Sequence, residues 1–320
     1  MNEQAHEITD AAPTSLAHLI GQKSVVDQVK VALDAAHEDE KKFDHALLVG
    51  PPGSGKTQTA KVIAAMMKSD FHEVLGQAIT SPADLNAVLL AATDRAIIFI
   101  DEAHELDRGF QTALYLALDQ RKVFLQGNRS GRAPQSIPLN DFTLLLASTD
   151  EFQILAPLRD RMRLHLRFDF YGVDDLVELV RQRSHGLNWN LDEKVLAPIA
   201  QRSKGNPRLA LRLLQSCRRV SRAEGARKIT MAHLKKACAL EEIDDLGLGP
   251  VEQQYLRILL EGSNRLNVIA SRLGLPTRTV AEVSEPFLIR VGLVMKDDQG
   301  KRNLTAEGRN HLSKSRAKGV

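Results

Sequence analysis

The stretch Gly50-Pro51-Pro52-Gly53-Ser54-Gly55-Lys56-Thr57 follows the pattern G-x-x-x-x-G-K-T without exception. Glycines at these places let successive backbone N–H groups curl round an anion. A lysine next to the last glycine reaches the β and γ phosphates of a nucleotide, and the threonine offers a hydroxyl to Mg²⁺. The chemistry is phosphoryl-group binding, with ATP and Mg²⁺ as the expected ligands. A second stretch, Ile97-Ile98-Phe99-Ile100-Asp101-Glu102, ends an apolar run on two carboxylates. At the carboxyl end of a strand, Asp101 can hold the Mg²⁺ water shell and Glu102 can orient and polarise an attacking water. A protein that only binds nucleotide often lacks this glutamate, so its presence favours turnover.

Further residues could complete such a site. Thr149 follows an apolar run and can reach between the acidic pair and the γ-phosphate; it could equally be a helix N-cap. Leu158-Arg159-Asp160-Arg161-Met162 places arginines at i and i+2. Either could salt-bridge within its own chain, or offer a cationic fork to ATP held by a neighbouring copy. Arg161 is the first choice for that role and Arg159 the reserve. Arg208, in Gly205-Asn206-Pro207-Arg208, opens a helix and could touch the γ-phosphate; the alternative is a surface arginine.

These residues need a frame. Residues 45–50, 96–100 and 142–147 read as strands that are apolar throughout, and residues 57–67 as a helix after the glycine loop. Wholly apolar strands alternating with helices indicate a parallel sheet covered on both faces. Residues 122–139 break that pattern and read as a β-hairpin insertion with a Gly/Arg-rich centre. Residues 173–184, 192–203, 207–224 and 230–240 show helical periodicity, so this stretch is expected to be wholly helical, with Asp192, Asn206 and Thr230 at N-cap positions. Residues 244–250 carry two glycines and a proline and read as a linker. Beyond it, helices over 251–261, 266–273 and 278–290 and a two-stranded wing over 293–304 make a winged helix.

Charge follows the same division. Residues 1–169 carry a net −6, residues 170–249 a net +4 and residues 250–320 a net +5. A basic terminal domain behind an acidic motor suits a polyanion. Arg278 at the start of the third helix and Lys296, Lys301 and Arg302 on the wing are the candidate DNA contacts. Asp297-Asp298 at the wing tip argue for a protein-contact module instead. Cys217 and Cys238 are too few for a disulfide framework and suit a reducing compartment. No apolar run is long enough to span a membrane, and the polar start lacks a signal-peptide core. A cytoplasmic protein with no membrane partner is expected.

Taken together the chain resembles the RuvB family of Holliday-junction branch-migration motors. The likeness runs from Leu19-Ile20-Gly21-Gln22 onward, through Asp44-His45-Ala46-Leu47-Leu48-Val49-Gly50, Phe99-Ile100-Asp101-Glu102-Ala103-His104, Phe142-Thr143-Leu144, Pro157-Leu158-Arg159-Asp160-Arg161 and Gly205-Asn206-Pro207-Arg208-Leu209-Ala210. Glu285-Pro286-Phe287-Leu288-Ile289-Arg290-Val291-Gly292 is the most specific of these stretches. The chain departs from the family in lacking an Arg-Pro pair before Ile20, and in reading Arg161-Met162-Arg163 where the family has Arg-Phe-Gly. The resemblance implies an α/β AAA+ large domain over 19–170 behind an N-terminal tail of 1–18. A helical lid over 171–243 and a winged-helix DNA-binding domain over 250–320 follow. Lys56 and Thr57 become P-loop lysine and Mg²⁺ ligand, Asp101 and Glu102 the Walker B pair, Thr149 sensor 1, Arg161 the arginine finger and Arg208 sensor 2. The activity implied is an ATP-driven motor on duplex or four-way-junction DNA, assembled as a hexamer, with a RuvA-like partner docking on the hairpin. An AAA+ loader or protein-remodelling switch would share every ATP-site residue and differ in the terminal domain. An ATP-responsive DNA-binding regulator would use ATP merely as a signal.

Overall fold

The computed structural model describes residues 11–125 and 135–317, and the chain divides into two units, Met1–Asp175 and Leu176–Val320. In the first unit, β1 (Ala46–Val49), β2 (Phe71–Leu75), β3 (Ile97–Asp101), β6 (Thr143–Ser148) and β7 (Leu164–Arg167) form a parallel sheet in the order β2-β3-β6-β1-β7. Between β3 and β6 in the chain, β4 (Lys122–Leu125) and β5 (Gln135–Pro138) pair antiparallel as the expected hairpin. Its Gly/Arg-rich centre lies outside the described residues.

Side-chain alternation divides each strand between two cores. Leu47, Ile98, Ile100, Leu144 and Leu146 pack with Leu85, Leu89 and Leu114 on one face. Ala46, Leu48, Ile97, Phe99, Leu145 and Ala147 pack with Val25, Val29, Leu33 and Ile63 on the other. Each such aliphatic side chain contributes about 1.5–3 kcal/mol on burial. The sequence marked three strands and the structure has five in this sheet. The missed pair, β2 and β7, are the edges; β2 has no buried residue and β7 only Leu166, so they lack the continuous apolar run that marks the inner strands. Met162 is buried in the first core.

At the amino ends of β1 and β6, the backbone N–H of Leu144 donates to His45 Nδ1 at 2.8 Å, which holds the ring neutral with its proton on Nε2. Burial pushes the imidazole down to about 3, with the neighbouring Lys42 charge adding to it.

The second unit begins with helices Val173–Gly186, Leu196–Arg202, Pro207–Ala223 and Met231–Leu240. Asp192 and Asn206 accept the N–H groups of Lys194 and Arg208, and the Thr230 N–H donates to His233 Nδ1, so all three expected caps form. The segment is not wholly helical: β8 (Asn190–Leu191) and β9 (Lys228–Ile229) pair in parallel. Nor do residues 244–250 behave as a loose linker. Asp244 accepts the N–H groups of Leu246 and Leu248 and holds His311 Nε2 at 2.8 Å, and a Cβ at Gly247 would come within 2.0 Å of the Arg202 carbonyl.

Helices Pro250–Leu260 and Leu266–Leu273 follow, then Thr277–Thr279, a π-wound Val280–Ser284 and Glu285–Arg290 in one run. Pro286 has no N–H to close an α-turn and its ring crowds the preceding carbonyls, which accounts for the π winding just before it. The wing has three strands rather than two: β10 (Asn264–Arg265), β11 (Val294–Lys296) and β12 (Lys301–Leu304), antiparallel in the order β10-β12-β11.

Candidate active site

The glycine loop runs from the carboxyl end of β1 into the helix Lys56–Met67. A Cβ at Gly50 would approach the Phe168 carbonyl to 2.4 Å, so only glycine lets the loop leave the sheet beside β7. Gly55 caps the helix at φ 102°, a conformation open to glycine, and aims the first helical N–H groups back into the loop. Lys56 is 6% exposed, and its ammonium rests on the carbonyls of Gly50 (2.9 Å) and Pro51 (3.1 Å). Ser54 is buried, and among the described residues its hydroxyl meets no protein hydrogen-bond partner. A buried orphan hydroxyl inside a ring of N–H donors fits an anion that would satisfy it.

Strand order brings the second motif to the first. Because β6 is inserted between β1 and β3, the carboxyl ends of all three lie side by side. Thr57 Oγ1 donates to Asp101 Oδ2 at 3.0 Å, while the Glu102 N–H donates to Asp101 Oδ1 at 3.0 Å. Thr149, one residue past β6, places its hydroxyl 3.5 Å from Glu102 Oε2. Glu102 sits at φ 48°, a left-handed conformation that costs a non-glycine residue about 1–2 kcal/mol. The short turn Ala103–Glu105 follows and returns His104 towards the sheet, its Nδ1 3.4 Å from Glu102 Oε2 and 3.2 Å from Ser148 Oγ, its Nε2 3.5 Å from Glu105 Oε1. Gly76, just beyond β2, packs so closely that a Cβ would lie 2.5 Å from the Glu102 carbonyl.

A metal here would meet oxygen donors, Thr57 and Asp101. Among the described residues no group of three or more His, Cys, Asp or Glu could hold an ion unaided. One or two protein oxygens with the remainder supplied by phosphate and water is the habit of Mg²⁺.

Arg161 is committed within its own chain. It forms a bidentate pair with Asp119, donates to the Pro157 carbonyl and lies 4.8 Å over the Tyr115 ring. The bond from Arg161 holds the Asp119 carboxyl below the usual carboxylate range. Arg159 lies 5.5 Å over the exposed Phe152. Arg208 is exposed at the start of the helix Pro207–Ala223, in the second unit. Tyr171, which belongs to no motif, brings its hydroxyl within 3.3 Å of where a Gly55 Cβ would be, and burial pushes its phenol up to about 12.

On the wing, Lys296 is exposed and Lys301 half-buried, and Arg278 is exposed and paired with Glu282. Arg302 corrects the expectation that it faces phosphates. Its Nε and Nη2 grip Glu285 Oε1 (2.6 Å) and Oε2 (3.0 Å), its Nη1 donates to the Gly300 carbonyl, and the Tyr255 hydroxyl donates to the same carboxylate at 2.7 Å. The Arg302 and Glu285 side chains are 12% and 8% exposed. Burial alone would raise Glu285, but the bonds from Arg302 and Tyr255 hold it below its ordinary value. The acidic wing tip also changes meaning. Asp297 accepts the N–H groups of Gln299 and Lys301, so its carboxylate builds the turn. Arg265, overlooked in the sequence because only strand pairing places it, lies opposite Lys301 and so on the same face of the wing.

Three family models match in sequence order: the Holliday junction DNA helicase RuvB P-loop domain over residues 11–168, the RuvB AAA lid domain over 171–244 and the RuvB C-terminal winged helix domain over 245–313. The Holliday junction branch migration complex subunit RuvB of Kosmotoga olearia is 33% identical over 96% of this chain and 91% of its own length. That of Lactobacillus gasseri is 34% identical over 90% and 87%. Among solved structures, the Thermotoga maritima RuvB Holliday junction branch migration motor superposes with a TM-score of 0.82 at 30% identity, covering 95% of this chain and 98% of that one. A point mutant of the same protein superposes with a TM-score of 0.84 at 31% identity, covering 94% and 98%.

Proposed function

This chain belongs to the RuvB family of ATP-driven DNA motors, and from that premise we propose that it hydrolyses Mg²⁺-ATP to translocate four-way-junction or duplex DNA in recombination and repair. The observation that carries the reading is the convergence of Thr57, Asp101, Glu102 and Thr149 where three adjacent strands end.

In this reading Lys56 leaves its loop carbonyls for the β and γ phosphates. The backbone N–H groups of the Gly50–Thr57 loop and the Ser54 hydroxyl cradle the triphosphate. Thr57 and Asp101 hold Mg²⁺, which neutralises charge on the phosphate oxygens. Glu102 accepts hydrogen-bond character from the attacking water, and Thr149 couples that carboxylate to the γ-phosphate. Arg161 serves as the finger of a hexameric ring by exchanging Asp119 for a neighbour's nucleotide, with Arg159 in reserve; Arg208 is the second sensor. On the wing, Lys301 and Arg265 contact phosphates from one face and the exposed Lys296, paired opposite Arg302, from the other, with Arg278 on the third helix; Arg302 is withdrawn from that set. A RuvA-like partner engages the hairpin 122–139. Among the described residues no helix is long and apolar enough to cross a membrane.

The test is ATP hydrolysis by the full chain with a synthetic four-way junction, linear duplex or single strand, alongside ATP-dependent conversion of the junction to duplex products. Junction DNA should stimulate turnover most, and Lys56→Ala should abolish both activities. Turnover indifferent to all three DNAs, with the protein monomeric at assay concentration, would overturn the motor in favour of a loader or regulator.

A further inference from the structure

The ATP-site machinery above leaves His104 without a task, although its side chain is only 12% exposed and lies 3.4 Å from the hydrolytic carboxylate. Its hydrogen-bond roles can be worked out. The Ser148 hydroxyl has one proton, and that proton goes to the Asp150 carbonyl at 2.8 Å. The same oxygen accepts the Asp150 N–H at 2.9 Å. Towards His104 it can therefore only accept, so the 3.2 Å contact requires a proton on Nδ1. That one N–H stands between two acceptors, Ser148 Oγ and Glu102 Oε2 at 3.4 Å. The Thr149 hydroxyl approaches the same Oε2 from the end of β6. Both groups thus approach the same carboxylate oxygen, Oε2.

We propose that His104 is a positioning residue for ATP hydrolysis: its Nδ1–H ties the Glu102 carboxylate to Ser148 at the end of β6, so that Glu102 and Thr149 move as one group. The inference rests on Glu102 being the hydrolytic carboxylate. Ser148 is the fixed end of the tie, being fully buried with its hydroxyl bonded into the turn at Asp150. Glu102 is the adjustable end, 39% exposed and held only by long contacts. An unanchored carboxylate would still leave nucleotide binding intact, because the phosphate cradle is built by the Gly50–Thr57 loop, whereas His104 and Thr149 act on the Glu102 carboxylate.

Steady-state ATPase of the full chain carrying His104→Ala or His104→Asn tests this. The amide nitrogen of Asn falls near the place of Nδ1 and keeps a donor there. His104→Ala should lower kcat about 10- to 100-fold with KM for ATP within about twofold of wild type, and His104→Asn should recover to within about threefold of wild-type kcat. Wild-type kcat in His104→Ala, equal losses in the two variants, or a loss confined to KM would each overturn the tie. Glu102→Gln is assayed in parallel. If it turns over normally, both the hydrolytic assignment and this inference fall; if it is inactive while His104→Ala is normal, only the inference falls. Should His104→Ala not fold, Ser148→Ala removes the other end of the tie, and an unchanged kcat there overturns the proposal.

Discussion

Two carboxylates in this molecule sit among hydrogen-bond donors and are held in opposite ways. Glu285 is nearly buried and gripped by Tyr255 at 2.7 Å and by a bidentate Arg302 at 2.6 and 3.0 Å. Glu102 is partly open, on a left-handed turn, with its donors at 3.4 and 3.5 Å. Short charge-assisted bonds in a dry setting spend a carboxylate's acceptor capacity on the fold. Long contacts at an open edge leave that capacity for a ligand. One group ties a wing to its helices and the other waits for a water molecule, and each is expected to fail in its own way when cut.

The largest separation should come from Glu102→Gln. Turnover is expected to drop about 10²–10⁴-fold, while the thermal midpoint stays at the wild-type value. A variant that lost stability instead would place Glu102 with Glu285 as a structural group. Arg302→Ala should do the reverse, leaving a buried carboxylate without its counter-charge at a cost of about 3–5 kcal/mol in denaturant melts monitored by circular dichroism. Replacing Arg302 and Glu285 together by apolar residues of similar volume should recover most of that loss. A loss below about 0.5 kcal/mol in the single variant would show that the pair is no more than a surface salt bridge.

Acid should also distinguish the two units. His45 is held at about 3 in the folded first unit, against about 6.5 unfolded, so only the unfolded chain takes up this proton between those values. Stability of that unit is therefore complete above about pH 6.5 and is lost as pH falls towards about 3. Glu285 is depressed, so its contribution is complete above its unfolded value of about 4.3 and fades as pH falls through the folded value. Acid melts should weaken the first unit earlier, and His45→Gln should flatten its decline. Loss of both units over one pH range, unchanged in His45→Gln, would contradict the assignment. The smallest effect is expected at the wing face. Replacing Arg265 and Lys301 by alanine should reduce the log–log salt slope of duplex binding by about 2, with no change in sequence preference. An unchanged slope would move phosphate contacts off this face.

How far the sequence could be read depended on whether a role was local. The loop Gly50–Thr57 and the run ending in Asp101-Glu102 declare their chemistry because backbone geometry and residue type coincide within a few positions. So do the caps at Asp192, Asn206 and Thr230, whose bonds reach only to the next turn. Inner strands were legible as apolar runs; edge strands β2 and β7 were not, because one side of each is half exposed.

Tertiary structure alone decided the rest. Nothing local says that β6 enters between β1 and β3, yet that insertion sets Thr149 and Ser148 beside Glu102 and gives His104 a partner. Nor could charge composition say which wing cations face water. Arg302 and Lys301 are neighbours of the same sign, and alternation along β12 sends them to opposite faces. One meets Glu285 in the interior and the other lies opposite Arg265. The sequence determined which groups could bind and cleave a phosphate anhydride; strand order and strand alternation decided which of them meet, since both are fixed by contacts between residues far apart in the chain.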